Sequence, residues 1–285
     1  MLSVLTQKPH RFAKSFLYTV IHSHKPIIHN LQSVILQTIS VINAGSCVFS
    51  TPSGQECAHA RYNIFIMGHL LLIGADSSIG QSVAKAFLED EWQVWAVGRH
   101  AERFAKGVQW AHTVSDVADF DQMAQTAQAL QTYLAAHGDL RVDALVYAVG
   151  DITAQKIHEM DANAWHRILN ANLTGAFVAT RVFSPLFSPE PHLFYLCALS
   201  EKLILPGLSA YATAKAGLEV FAQVVAKEQP RWKVTTVRPG AVATRFWERV
   251  PFRMPPKALQ PEEIALRILE AYYNEHKGAL DLIPE

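Results

Sequence analysis

The sequence predicts a doubly wound α/β domain in which about seven parallel strands form one sheet with helices on both faces. From Met67 onward, short apolar runs alternate with stretches of helical periodicity, which is the pattern of a parallel sheet. The runs are continuously apolar, as expected for strands buried on both faces. No internal repeat or low-complexity linker interrupts this part of the chain, so residues 67–285 are expected to form a single domain.

Six runs are clear strand candidates, and a weaker seventh lies around Val108 to His112. Because these runs are short, apolar and separated by helical patterns, they favour strands over buried helices. In chain order the clear runs are HLLLIG, QVWAVG, VDALVYAV, HLFYLCAL, KVTTVR and GALDLI, with the weak strand between the second and the third.

Residues 1–66 differ in composition from the rest. Their basic residues face a single acid, Glu56, with scattered Ser, Thr and His and no lasting periodicity. Such a segment fits a transit peptide or a start assigned upstream of a true start at Met67, and we favour the second interpretation. The histidines of HSHKPIIH are interpreted as part of a solvated tail and not as a metal site. The basic residues are Lys8, Arg11, Lys14, Lys25 and Arg61.

Composition excludes several classes of protein. The chain has 285 residues, half of them hydrophobic, and a formal net charge of zero, so it can bury a sizeable core and shows no basic excess for nucleic acid. The N-terminal run SVILQTISVINAGSCVF is too polar for a membrane span. Three cysteines, Cys47, Cys57 and Cys197, form neither a disulfide framework nor a zinc spacing, which favours a reducing compartment. We therefore expect a cytoplasmic protein, or an organellar one if residues 1–66 are a genuine transit peptide.

The first strand leads into GADSSIGQSVAKAF. Gly74 ends the strand and Gly80 opens a helix, so backbone N–H groups and the positive helix end should face a phosphate here. Ser78 stands where a further glycine would let the backbone approach a pyrophosphate closely. A glycine pair at such a turn is a weak signal on its own.

The end of the second strand, QVWAVGRH, indicates the choice of cofactor. An acid at this point would accept a hydrogen bond from the ribose of NAD, whereas an arginine suits the 2′-phosphate of NADP. Gly98 takes the acidic position and Arg99 follows it, so NADP is favoured over NAD. Ser77 is a candidate second phosphate contact, and Asp76 carries the wrong sign for one.

The most specific signal lies late in the chain. Tyr211 and Lys215 are four residues apart, which on a helix places both side chains on one face. A neighbouring cation such as Lys215 would stabilise a phenolate and so make the tyrosine a better acid and base. A strand and the sequence Pro239-Gly240-Ala241-Val242-Ala243-Thr244 follow.

Together these pieces resemble the short-chain dehydrogenase/reductase family over nearly all of residues 67–285. Ser115-Asp116-Val117 and the eroded turn YAVG, which keeps Gly150, are similar to its adenine-binding segments, and Asn172-Leu173-Thr174-Gly175 is similar to its Asn-Leu-x-Gly helix. The resemblance implies a single Rossmann-type domain, a homodimer or homotetramer, and hydride transfer between a nicotinamide and a carbonyl or alcohol. It implies cofactor contacts from Gly74, Ser77, Ser78, Ile79, Gly80, Arg99, Asp116, Val117, Gly150, Tyr211, Lys215, Pro239, Gly240, Val242 and Thr244.

The resemblance also implies a catalytic set. Tyr211 would protonate the developing alkoxide, Lys215 would lower its pKa, and Asn172 would position a water. The family's serine, thirteen residues before the tyrosine, is replaced by Ala198. If the strand continues, Ser200 points the same way as Ala198, so we expect Ser200 to donate to the carbonyl oxygen; its alternative is a turn cap. A non-catalytic NADP-binding sensor of the same fold remains the alternative function.

Substrate contacts are expected from three segments: DITAQKI, EKLILPGL and RFWERVPFRMPP. The last contains Phe246, Trp247, Phe252 and Met254, which favour an apolar or bulky carbonyl compound, although the same side chains suit packing over the nicotinamide or between subunits. Arg249 and Arg253 in this segment are either solvated or able to bind an anion.

Overall fold

The computed structural model describes residues 68–283. They form one seven-stranded, fully parallel sheet with the strand order β3-β2-β1-β4-β5-β6-β7, which confirms the predicted doubly wound fold. The order reverses between β1 and β4, where ligand crevices form in such sheets. The predictions for residues 1–66, including the tail histidines, Cys47 and Cys57, fall outside the described residues.

The strands and helices follow the predicted alternation. The strands are β1 (His69–Ile73), β2 (Gln93–Gly98), β3 (Trp110–Thr113), β4 (Val142–Tyr147), β5 (Phe187–Leu196), β6 (Lys233–Pro239) and β7 (Gly278–Leu282). The helices are α1 (Ser78–Glu89), α2 (Phe120–Ala136), α3 (Ala162–Leu169), α4 (Gly175–Phe183), α5 (Ser209–Glu228) and α6 (Pro261–Tyr273). Within residues 68–283 no helix is both long and apolar enough to cross a membrane.

Each face of the sheet carries its own apolar layer, because successive strand residues point to opposite faces. Leu71 and Ile73 of β1 pack with α2, α4 and α5 on one face. Leu70 and Leu72 pack with α1 and α6 on the other. All four are fully buried, so this central stretch of β1 has to be apolar on both faces.

Two local departures from the simple pattern affect the site. The predicted helix around Asn172 contains a π-helical turn, Asn170–Thr174, between α3 and α4. Strand β5 ends at Leu196, and a short 3-10 helix runs from Ser200 to Leu203. The expected orientation of Ser200 depended on the strand continuing to that residue, and β5 ends before it.

Candidate functional site

A large cavity lies at the carboxyl ends of the strands. Its volume is about 1290 Å³, more than one small ligand needs. Asn172, Ser200 and Gly80 do not line the cavity. The predicted site residues that do line it are Gly74, Ser77, Ser78, Ile79, Arg99, Asp116, Val117, Gly150, Tyr211, Lys215, Pro239, Gly240, Val242 and Thr244.

The turn between β1 and α1 brings backbone close to the cavity. Gly74 has a φ of +89°, which favours glycine, and a Cβ at Gly80 would lie 2.1 Å from the Gly74 carbonyl oxygen. The Ser77 hydroxyl accepts from the Gly80 N–H at 2.9 Å and caps α1. The same hydroxyl donates to the Ala148 carbonyl at 3.2 Å. Ser77 therefore caps α1, and its contact with a phosphate stays a prediction.

The end of β2 combines both signs of charge. Asp76 is buried, and its carboxylate accepts from the Arg99 backbone N–H at 3.3 Å. A Cβ at Gly98 would lie 2.4 Å from that carboxylate oxygen, so the missing side chain at Gly98 makes room for Asp76. Arg99 is exposed at the cavity wall, and Arg103, which sequence reasoning missed, lines the same wall. Its position four residues after Arg99 is the sequence feature that could have indicated Arg103.

Helix α5 presents Tyr211 and Lys215 to the cavity. The Lys215 ammonium group donates to the Leu196 carbonyl at 2.7 Å and lies 5.6 Å from the centroid of the Tyr211 ring. Lys215 is only 3% exposed. The carbonyl of Leu196 is available because β5 ends there, so the strand end fixes the lysine beside the tyrosine.

Burial disfavours the charged form of both groups and shifts their pKa values accordingly. It lowers the pKa of Lys215 to about 8, with the nearby Cys197 opposing the shift. It raises the pKa of the Tyr211 hydroxyl, and Cys197 adds to that shift. Burial dominates the pKa of Tyr211, and the lowering expected from Lys215 stays a prediction. The phenol is protonated at neutral pH, as a proton donor must be.

Asn172 is fully buried in the π-helical turn. Its Nδ2 donates to the carbonyls of Asp151 at 2.7 Å and Ile168 at 2.9 Å, while its Oδ1 has no hydrogen-bond partner among the described residues. A buried carbonyl oxygen without a partner calls for a donor, such as a water. π-helical turns within helices occur frequently at functional sites.

Tyr147, which sequence reasoning missed, supports this turn. The residue is fully buried, and its hydroxyl donates to the Ala171 carbonyl at 2.8 Å. A Cβ at Gly175 would lie 2.4 Å from the hydroxyl. Tyr147 therefore satisfies a carbonyl immediately before Asn172, and Gly175 leaves the space for it. The departure of YAVG from the family's turn was the signal that could have found it.

The structure does not bring Ser200 to the cavity. Its hydroxyl donates to the Glu219 carboxylate at 2.7 Å, and that carboxylate also pairs with Arg238 at 2.7 Å. Ala198 lines the cavity instead. We expected Ser200 to donate to a substrate carbonyl. In the structure its one hydroxyl proton is donated to Glu219 instead.

The loop after β6 closes the far wall. Thr244 caps a 3-10 helix, Arg245–Arg249, by accepting from the Phe246 N–H at 3.3 Å. The Phe246 ring lies 6.1 Å from the Tyr211 ring, centroid to centroid. Of the predicted aromatic segment, Phe246, Trp247 and Phe252 line the cavity, whereas Met254 does not.

Comparison with known proteins gives one consistent result. A family model described as short chain dehydrogenase matches residues 68–252. A benzil reductase ((S)-benzoin forming) of Saccharomyces cerevisiae is 26% identical over 217 residues, which cover 70% of this chain and 81% of that protein. A 3-oxoacyl-[acyl-carrier-protein] reductase of Synechocystis is 28% identical over 214 residues, covering 68% and 85%.

Solved structures share the fold. An alcohol dehydrogenase of Thermococcus sibiricus complexed with 5-hydroxy-NADP superposes with a TM-score of 0.66 at 19% identity, covering 76% of this chain and 95% of that one. A short-chain dehydrogenase of Streptomyces avermitilis gives a TM-score of 0.66 at 25% identity, with 77% and 89% covered.

Proposed function

The chain belongs to the short chain dehydrogenase family and is an oxidoreductase, and from that premise we propose that it reduces carbonyl compounds, or oxidises the corresponding alcohols, with NADP(H). The observation that carries the proposal is the pair of Tyr211 and Lys215 on one face of α5 at the cavity wall. The family model and the cavity support an enzyme; the pair indicates the reaction.

Tyr211, Lys215 and Asn172 have different functions in the proposed reaction. Tyr211, protonated at neutral pH, gives its proton to the developing alkoxide oxygen. Lys215 lies close enough for its positive charge to stabilise the phenolate that remains. Asn172 offers its free Oδ1 to a water that would return the proton from solvent. The hydride itself is supplied or accepted by the nicotinamide cofactor when it is bound.

The cavity fits a dinucleotide. Gly74 and Gly80 place no side chain at their positions in the β1–α1 turn, and the amino end of α1 would face the phosphate. Arg99 and Arg103 favour the 2′-phosphate of NADP, whereas Asp76 opposes it. Two cations against one carboxylate lead us to propose NADP(H) as the cofactor.

Arg99→Ala tests this choice. Because Arg99 is exposed, its loss should weaken NADPH binding by about 1 to 2 kcal/mol and leave NADH binding unchanged. Binding is measured for both cofactors by protein fluorescence. Equal affinities of the unaltered chain for NADPH and NADH would contradict the proposal.

A second candidate function has one observation in its favour. Among the described residues, Ala198 lines the cavity at the position of the family's serine, and Ser200 bonds to Glu219 and does not line it. A protein that binds NADP(H) as a sensor without turnover would tolerate that loss. We favour the enzyme, because Tyr211 and Lys215 line the cavity and the buried Asn172 donates to the carbonyl of Asp151, which also lines it.

The discriminating experiment is NADPH oxidation by the full chain against a panel of aldehydes, aryl ketones, diketones and quinones. Turnover of any of these that depends on Tyr211 supports the enzyme. Tight cofactor binding with no turnover across the panel would favour the sensor.

Assembly and location follow as further proposals. Exposed apolar side chains lie on α4 (Phe177, 48% exposed) and on one face of α5 (Val220 and Val224, 60% and 47% exposed). Such a face supports a homodimer or homotetramer, which light scattering would detect. A cytoplasmic location stays a prediction from cysteine usage.

A further inference from the structure

Asp151 organises a charged cluster at the cavity wall. The residue follows β4 and is only 8% exposed. Its Oδ1 pairs with Arg249 from the loop after β6, and its Oδ2 pairs with Arg167 of α3. The Ile152 N–H also donates to Oδ1 at 2.9 Å. One fixed carboxylate therefore orients two guanidinium groups, and the cluster keeps a net charge of +1.

Arg167 and Arg249 have N–H donors that the pairs with Asp151 do not use. Each guanidinium group carries five N–H donors, yet the side chains of Arg167 and Arg249 remain 50% and 54% exposed. Apart from Asp151, Arg167 donates to the Thr153 hydroxyl at 2.8 Å. Arg253 lines the same cavity, is exposed, and has no ion-pair partner within residues 68–283. This wall can therefore accept an anion without first breaking the pairs with Asp151.

The cluster lies on the side of the reacting groups. The Asp151 carbonyl accepts from Asn172 Nδ2 at 2.7 Å, and Arg249 shares a 3-10 helix with Phe246, whose ring lies near Tyr211. The arginines assigned to the cofactor lie at the end of β2, two strands away in the sheet from β4. The Asp151 cluster is thus placed for a substrate and not for the adenosine end of the cofactor.

We propose that the substrate is a carbonyl compound with an apolar body and a carboxylate, and that Arg249 and Arg253 bind the carboxylate. This inference rests on the proposed reductase function. Arginine matches a carboxylate with two parallel hydrogen bonds, and Asp151 holds Arg249 ready to make them. Phe246, Trp247 and Phe252 line the apolar part of the same cavity.

The test compares two probes with one carbon skeleton: 5-oxo-5-phenylpentanoate and its methyl ester. The full chain with NADPH should show a kcat/KM about tenfold or more higher for the acid, since a charged hydrogen bond is lost in the ester. Arg253→Met and Arg249→Met should each reduce that ratio about tenfold while leaving the Kd of NADPH unchanged. Arg267→Met is the matched control, because Arg267 pairs with Glu270 on α6 outside the cavity.

The outcomes separate this inference from the proposed function. If acid and ester are reduced equally, or if the arginine variants leave the ratio unchanged, the carboxylate site is wrong while the reductase stands. If neither probe is reduced, calorimetric binding to the complex with NADP⁺ decides: preference for the acid that is lost in Arg253→Met supports the site, and equal or absent binding overturns it. Arg253 has no ion-pair partner within residues 68–283, so its variant tests the site even if Arg249→Met does not fold.

Discussion

The hydroxyl of Tyr147 should matter to catalysis although it does not touch the cavity. Tyr147→Phe removes one oxygen and leaves the Ala171 carbonyl, 2.8 Å away, without its donor. Because Tyr147 is fully buried, the loss should destabilise the fold by about 1 to 2 kcal/mol. The freed carbonyl lies directly before Asn172, so the π-helical turn should loosen and kcat should fall about tenfold or more, as expected when a positioning group shifts.

Tyr195→Phe is the matched control. Tyr195 is also fully buried, and its hydroxyl shares a 2.7 Å hydrogen bond with Thr180 of α4, which is not part of the π-helical turn. Both variants should lower the urea midpoint by similar amounts. Only Tyr147→Phe should lower kcat in NADPH-dependent reduction, with the Kd of NADPH unchanged. An equal kcat in the two variants would refute a positioning function for Tyr147.

Two further predictions concern stability. Arg238→Met should lower the free energy of unfolding in urea by about 2 to 4 kcal/mol, because it leaves the buried Glu219 carboxylate without the guanidinium group that lies 2.7 Å away. A loss no larger than that of Lys85→Met, at an exposed position, would contradict this. Since burial lowers the pKa of Lys215 from 10.5 to about 8, the unfolded chain binds more protons at this residue between those pH values. Its contribution to the free energy of unfolding should therefore rise with pH across that window, by up to about 3 kcal/mol. Lys215→Met should remove this pH dependence, and an unchanged slope would show the shift is absent.

The sheet was predictable because its signals are local. Continuous apolar runs identify strands buried on both faces, and each clear run became a strand. The strand ends were less accessible to sequence reasoning. Strand β5 stops at Leu196, where its carbonyl accepts from Lys215, nineteen residues later in the chain. The apolar run HLFYLCAL continues to Leu199, so nothing local marks the end of the strand at Leu196.

The site was predictable only where one short motif holds the residues together. Tyr211 and Lys215 lie on one helix, so their spacing brings them to one face. The contacts that sequence reasoning missed join distant residues: Arg249 reaches Asp151 across 98 positions, and Tyr147 reaches Ala171 across 24. Ser200 was misjudged for the same reason, since Glu219 on α5 takes its hydroxyl. No periodicity encodes such pairs, and only the packed fold brings them together.

The central claim is that Tyr211 protonates a carbonyl substrate during NADPH-dependent reduction. The most direct measurement is the NADPH oxidation rate of the full chain and of Tyr211→Phe with a diketone or aryl ketone, together with the Kd of NADPH for each. We expect kcat to fall about 10²- to 10⁴-fold in the variant while NADPH binding is unchanged. A variant that turns over as fast as the unaltered chain would contradict it.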